Sequence, residues 1–245
     1  GVLAMATPNG IALPVYAPCS ATVDVRGTTV HLFEETDYPF AGEIHIKIEK
    51  IENESHALDF ALRLRLPSWA ETYTLTYNGT QTEVETTNGY LILNKAFAPG
   101  DQITLSLPLK LRLVPEASGG ASVHYGALLL ALPIDAETHV VRGKPPFADY
   151  EFLPRGEWRF GIGEYSLANA TITHAEPGEL PFDTEHAPLT VCLPLAPAPH
   201  WKREKSSAGP VPEPFSAATS DFIPQKLIPY GCTQLRVTQF PIVID

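Results

Sequence analysis

Proline and glycine punctuate this chain so often that long helices have no room to form. Twenty-four prolines and seventeen glycines are spread through 245 residues. Proline inside a helix removes a backbone hydrogen bond and clashes with the preceding turn, and glycine there carries an entropic penalty. No window shows apolar residues at a sustained helical period between recognisable caps. The chain is therefore expected to be all-β, with very low helix content.

Strand patterns fill the spaces between the breakers. Residues 21–25 and 29–33 flank Arg26-Gly27, a hairpin turn. In residues 43–49, Ile44, Ile46 and Ile48 alternate with charged and polar neighbours, so one face is apolar. Phe60, Leu62, Leu64 and Leu66 repeat the pattern against Arg63 and Arg65. Asn78-Gly79 joins two further strands, and Asn-Gly favours the type I′ turn whose twist matches a hairpin. Asn88-Gly89 precedes a strand at 90–93, and Ala98-Pro99-Gly100-Asp101 turns the chain into residues 102–107. Short strands at roughly ten-residue spacing fit an antiparallel sandwich.

A second block begins near Leu113. Residues 123–132 are nearly all apolar and are expected to form one strand covered on both faces. Residues 145–154 and 177–188 are expected to be loops, 157–160, 168–174 and 189–195 strands, and 196–220 a long surface loop. Residues 225–228 and 234–240 close the chain as strands.

Composition narrows the function. Hydrophobic content of 44% suits a globular fold, and no apolar run approaches the roughly 20 residues of a membrane helix. The N-terminus has no basic segment followed by an apolar one, so no secretory signal is expected. Net charge is −11, and the one basic cluster, Lys202-Arg203-Glu204-Lys205, is interrupted. Phosphate recognition needs a basic surface, so nucleic acid and anionic membranes are excluded as partners, while neutral polysaccharide stays compatible. Cys19, Cys192 and Cys232 are odd in number and widely spaced, against a disulfide framework or a zinc site.

Several segments then occur in a specific order. Tyr16-Ala17-Pro18-Cys19 comes first, followed by Glu34-Glu35-Thr36-Asp37-Tyr38-Pro39-Phe40, Leu66-Pro67-Ser68-Trp69-Ala70 and Pro99-Gly100-Asp101. Tyr125-Gly126-Ala127-Leu128-Leu129, Asp149-Tyr150-Glu151 leading to Trp158, and residues 197–201 come next. The tail Leu227-Ile228-Pro229-Tyr230-Gly231-Cys232-Thr233-Gln234-Leu235-Arg236-Val237-Thr238-Gln239-Phe240-Pro241 ends the series. In this order the chain resembles the C-terminal half of glycoside hydrolase family 127, to which the bacterial β-L-arabinofuranosidases belong.

That resemblance implies two antiparallel β-sandwich, jelly-roll-like domains, the second inserted in the first. Residues 1–112 with 226–245 would form the first and 113–225 the second. The family's chemistry resides in an (α/α)6 barrel, with a cysteine nucleophile, a glutamate acid/base and Zn²⁺ held by cysteines and a glutamate. Gly1 to Gly10 aligns just beyond the adjacent cysteine pair that supplies the nucleophile, and no Cys-Cys occurs here. The expected role is thus non-catalytic: support of the barrel of the same protein, and dimerisation. No cofactor is expected in these residues; zinc would belong to the barrel.

Sharper sites weigh less. Glu35 and Asp37, two apart on a strand, have the separation of a glycosidase carboxyl pair, but nothing around them signals a pocket. Eight histidines (His31, His45, His56, His124, His139, His174, His186 and His200) form no close metal-ligand pair. No G-x-S-x-G elbow accompanies a Ser-His-acid triad. Trp69, Tyr73, Tyr77, Trp158 and Trp201 are the candidates for sugar stacking, the basis of an alternative role as a carbohydrate-binding module or interaction protein, against a reading as core or cross-strand packing.

Overall fold

Three hairpins in the N-terminal half are closed by paired residues with positive φ. These are Arg26-Gly27 (54° and 86°), Asn78-Gly79 (49° and 78°) and Asn88-Gly89 (51° and 75°). Two successive positive φ values give the type I′ turn, whose twist continues that of the flanking strands. They appear in a computed structural model describing residues 3–52, 57–117, 119–176, 178–180, 182–183, 185–205 and 207–244.

The chain divides into two compact units, Gly1–Leu109 and Lys110–Asp245. The first is built from β1 (Met5–Thr7), β2 (Gly10–Leu13), β3 (Cys19–Val25), β4 (Thr28–Thr36), β5 (Glu43–Ile51) and β6 (Leu58–Arg65). It continues with β7 (Thr74–Tyr77), β8 (Thr80–Gln81), β9 (Glu85–Thr87), β10 (Tyr90–Phe97) and β11 (Gln102–Ser106). Two sheets result, ordered β1-β2-β6-β10-β9 and β3-β4-β5-β11-β7-β8. All pairings are antiparallel except β2 with β6. There Gly10 approaches so closely that a Cβ would lie 2.0 Å from the Ala61 carbonyl oxygen.

One core joins the two sheets. Leu13, Leu62, Leu64 and Leu91 from one, and Leu32, Ile44, Ile48, Ile103 and Leu105 from the other, are fully buried. Each such side chain contributes roughly 1.5–3 kcal/mol of transfer free energy. The period-two alternation of β5, exposed at Glu43, His45 and Lys47 and buried at Ile44, Ile46 and Ile48, leaves one polar face outward. The first unit is thus the expected β-sandwich.

The second unit centres on a nine-stranded sheet. Its main path runs through β12 (Leu111–Pro115), β13 (Ala121–Tyr125) and β14 (Leu128–Pro133), then β23 (Ile223–Pro229), β19 (Leu189–Pro197) and β17 (Phe160–Gly161). Off this path, β18 (Thr171–His174) pairs with β19, β24 (Arg236–Val237) with β14, and β25 (Gln239–Phe240) with β13. Three ribbons complete it: β15 (Ala136–Arg142) with β16 (Asp149–Pro154), β20 (Arg203–Glu204) with β21 (Ser207–Ala208), and β22 (Phe215–Ser216) with β26 (Val243–Ile244). Helix α1 (Glu164–Ala168) has five residues, and among the described residues no helix is long and apolar enough to cross a membrane.

Several expectations are corrected here. The tail does not return to the first sandwich: β23 inserts between β14 and β19, and β24 and β25 pair with β14 and β13. The two units are therefore continuous in sequence, divided at 109/110, with no insertion of one in the other. The apolar run 123–132 is two strands, because Gly126, at φ 56°, lets Tyr125 pair directly with Leu128. Residues 149–154 form a strand where a loop was expected, since Tyr150 and Phe152 pair across to Val140 and Thr138. Residues 164–168 are helical, and only 171–174 of the next segment is a strand. Within 196–220, Trp201 is buried at 3% exposure, so this proline-rich stretch is partly packed.

Candidate functional site

Strand β4 breaks its own alternation at one place. Val30 and Leu32 point into the core and His31 sits between them half-buried, so position 34 should be apolar and 33 polar. The sequence has the reverse: Phe33 is 37% exposed and Glu34 is 0% exposed. Glu34 Oε1 accepts the Ala17 N–H at 2.9 Å, and Oε2 has no partner. Burial pushes its carboxyl up to about 7, the Ala17 hydrogen bond opposing that shift. Burial, and then the Glu34 charge, also raise the thiol of Cys19, the residue paired with Glu34 across β3 and β4.

Phe33 lies on the outward polar face of the six-stranded sheet. In one row across the strands stand Ser20, Phe33, Lys47 and Gln102; in the next, Glu35, His45, Thr104 and Thr76. His45 Nδ1 and Thr104 Oγ1 are 3.2 Å apart, and His45 Nε2 lies 3.6 Å from Glu43 Oε2. An open cleft of about 580 Å3 runs over Phe33, Lys47 and Gln102. A neighbouring cleft over Asp37 and Glu43 shares Glu35 and His45 with it. Glu35 and Asp37 are both exposed, at the end of β4 and just beyond it, with no enclosing pocket. The face can hydrogen-bond a ligand; it offers no enclosed acid or base.

The aromatic residues singled out in the sequence are engaged in packing. Trp69 and Tyr73 are half-buried against the first unit's core. Tyr77 meets Phe97 edge-on at 5.9 Å and donates its hydroxyl to Asp101 at 2.6 Å. Asp101 also accepts the Ala98 N–H and the Asn78 amide, tying two turns together. Trp158 and Trp201 pack edge-on at 5.0 Å, both buried, and Trp201 Nε1–H donates to the Gly209 carbonyl. Both tryptophans line an open cleft with Arg155, Glu157 and Lys202, although little of either side chain is exposed. Phe33 was missed among the candidates; its signal is the broken alternation at 33–34.

Other arrangements lack the geometry of catalysis. Ser122 Oγ lies 2.6 Å from Glu116 Oε1 and 3.1 Å from His124 Nε2. A nucleophilic triad needs histidine between serine and acid; here serine is in the middle and 2% exposed. Cys192 is exposed, while burial raises the thiol pKa of Cys232, favouring the neutral form over the thiolate that binds metal. Among the described residues no group of three or more His, Cys, Asp or Glu side chains could hold a metal ion. The residues present do not fit a zinc-thiolate centre. His56 lies outside the described residues.

Two sheet-built units with a polar outer sheet face, and no helical barrel among the described residues, define an all-β module. Residues 10–109 match the family model described as the middle domain of the glycoside hydrolase family 127 β-L-arabinofuranosidases. The first unit is thus similar to that middle-domain model over nearly its whole length. No curated protein sequence matches the chain.

Solved structures share the fold over almost the whole chain. A family 127 β-L-arabinofuranosidase from Geobacillus stearothermophilus T6 matches with a TM-score of 0.65 at 18% identity, covering 98% of this chain and 34% of its own. A family 127 β-arabinofuranosidase matches with a TM-score of 0.65 at 17% identity, covering 96% of this chain and 35% of its own. A protein described as a glycoside hydrolase matches with a TM-score of 0.67 at 17% identity, covering 99% of this chain and 37% of its own. The chain thus spans about a third of the length of the structures it matches.

Proposed function

We propose that this chain is the β-rich, non-catalytic part of a larger glycoside hydrolase acting on L-arabinofuranosides or related plant glycans. Its role is to support a catalytic barrel in the same polypeptide. The observation that carries this reading is the middle-domain match over residues 10–109, placed within a fold that accounts for only a third of two arabinofuranosidases. Zinc, implied by the resemblance, belongs to the barrel under this proposal.

The ribbon β15–β16 supports a contact with a partner surface. Every residue from 137 to 151 except Ala148 is exposed, including Val140, Val141, Phe147 and Tyr150. A two-stranded ribbon alone in water is marginal. The barrel is the partner this reading assigns to it; dimerisation through a second copy is the alternative.

The test is thermal unfolding and activity of the full-length enzyme with and without these residues. A barrel that unfolds at a lower temperature once they are removed is the expected result. Unchanged stability and unchanged turnover would contradict the supporting role.

A further inference from the structure

We propose that the outer face of the six-stranded sheet in the first unit binds a neutral oligosaccharide, with Phe33 as its stacking platform. This goes beyond barrel support and stands on different observations.

The first is the paired inversion at Phe33 and Glu34. A strand with one buried face gains by placing apolar residues inward and polar ones outward. Here an aromatic ring is turned out and a carboxyl turned in, with one of its oxygens unpartnered. Places where local rules fail in an otherwise consistent strand mark functional or strained sites.

The second is the company Phe33 keeps. Its row neighbours Ser20, Lys47 and Gln102 all carry hydrogen-bonding groups, as do Glu35 and His45 in the next row. One apolar ring within a field of donors and acceptors matches a sugar, whose C–H face is apolar and whose rim is hydroxyl. Ligand sites combine apolar surface with a few placed polar groups in this way. The four strands from β3 to β11 span roughly 14 Å, enough for a short chain of sugars, and sheet-borne groups are held rigidly.

The third is charge. Glu35, Glu43 and Glu49 stand on this face beside Lys47, in a chain of net charge −11. A polyanion is repelled by such a surface, so a uronate polymer or nucleic acid is disfavoured and a neutral glycan is not. A protein partner fits less well, because interface centres bury clusters of apolar anchors, and Phe33 is the one exposed large apolar side chain in these rows.

Affinity electrophoresis of the full chain through gels containing arabinan, xylan, mixed-linkage β-glucan or polygalacturonate tests the proposal. At least one neutral polymer is expected to retard the chain, and polygalacturonate to have no effect. Phe33→Ala, at an outward position, should lower the association constant about tenfold or more, with an unchanged melting temperature. Gln102→Ala should weaken binding to a smaller degree. Retardation by no neutral polymer, by polygalacturonate alone, or equally in Phe33→Ala would overturn the proposal. So would a dimer in sedimentation that Phe33→Ala dissociates, since the ring would then serve a second copy. Barrel support is read by unfolding of the full-length enzyme, so the two readings fail separately.

Discussion

Glu34 holds the Ala17 N–H through Oε1 at 2.9 Å while its other carboxyl oxygen has no partner, at a site with no solvent exposure. Ala17 lies on the link that carries the chain from β2 in one sheet to β3 in the other. A buried carboxyl therefore fastens the crossover between the two layers of the first unit. Burial raises its pKa from 4.5 to about 7.

The sign of the resulting pH dependence follows. Below pH 4.5 the group is protonated whether the chain is folded or not. Between about 4.5 and 7 the unfolded chain releases the proton and the folded one keeps it. Stability thus falls as pH rises through this window, by on the order of 2–3 kcal/mol, and is flat in this respect above it. Glu34→Gln should remove that slope and stabilise the first unit at pH 8. Chemical denaturation at pH 4.5 and 8 measures it; the same slope in both proteins would contradict a buried neutral carboxyl.

Phe97 and Tyr77 separate packing from binding. Phe97 is fully buried, 4.4 Å from the Phe60 ring and edge-on to Tyr77. Phe97→Ala should cost about 3–5 kcal/mol in unfolding free energy. Tyr77→Phe keeps the ring and loses only the hydrogen bond to Asp101, so about 0.5–1.5 kcal/mol is expected. Retardation by glycans should be unchanged in Tyr77→Phe, because Tyr77 lies outside the Phe33 face.

Gly10→Ala tests the close approach of β2 to β6. The added methyl would stand 2.0 Å from the Ala61 carbonyl oxygen, so one strand must move. A loss of about 1–3 kcal/mol is expected from such overpacking. Urea denaturation of the two proteins reads it, and equal midpoints would contradict the described register.

Phe147→Ser tests the ribbon. Phe147 is 92% exposed, so the isolated chain should keep its stability to within about 0.5 kcal/mol. In the full-length enzyme the same change should lower the unfolding temperature. No effect in either setting would remove the ribbon from the support surface.

The parts of the fold legible in the sequence are those set by local chemistry. Asn78-Gly79 and Asn88-Gly89 announce their turns because positive φ is a property of the residues themselves. The tail misled for the opposite reason. Leu235, Val237 and Phe240 require a sheet to bury against, but nothing local says which, and β24 and β25 pair with β14 and β13 rather than the first sandwich. The hairpin at Gly126 was hidden because apolar strands on both sides merge into one run. The tryptophans and Tyr77 read as stacking candidates by type alone, because their packing and hydrogen bonds come from residues distant in sequence. Phe33 and Glu34 were readable in principle, since an outward aromatic next to an inward carboxylate violates the period-two pattern that β4 otherwise keeps.

The most direct measurement is turnover of an aryl β-L-arabinofuranoside by this chain alone and by the chain joined to the barrel assigned to it. Turnover is expected only from the joined protein, because the proposed function assigns the nucleophile, the acid/base and the zinc to the barrel. Equal turnover by the chain alone would contradict the assignment of these sheets to support.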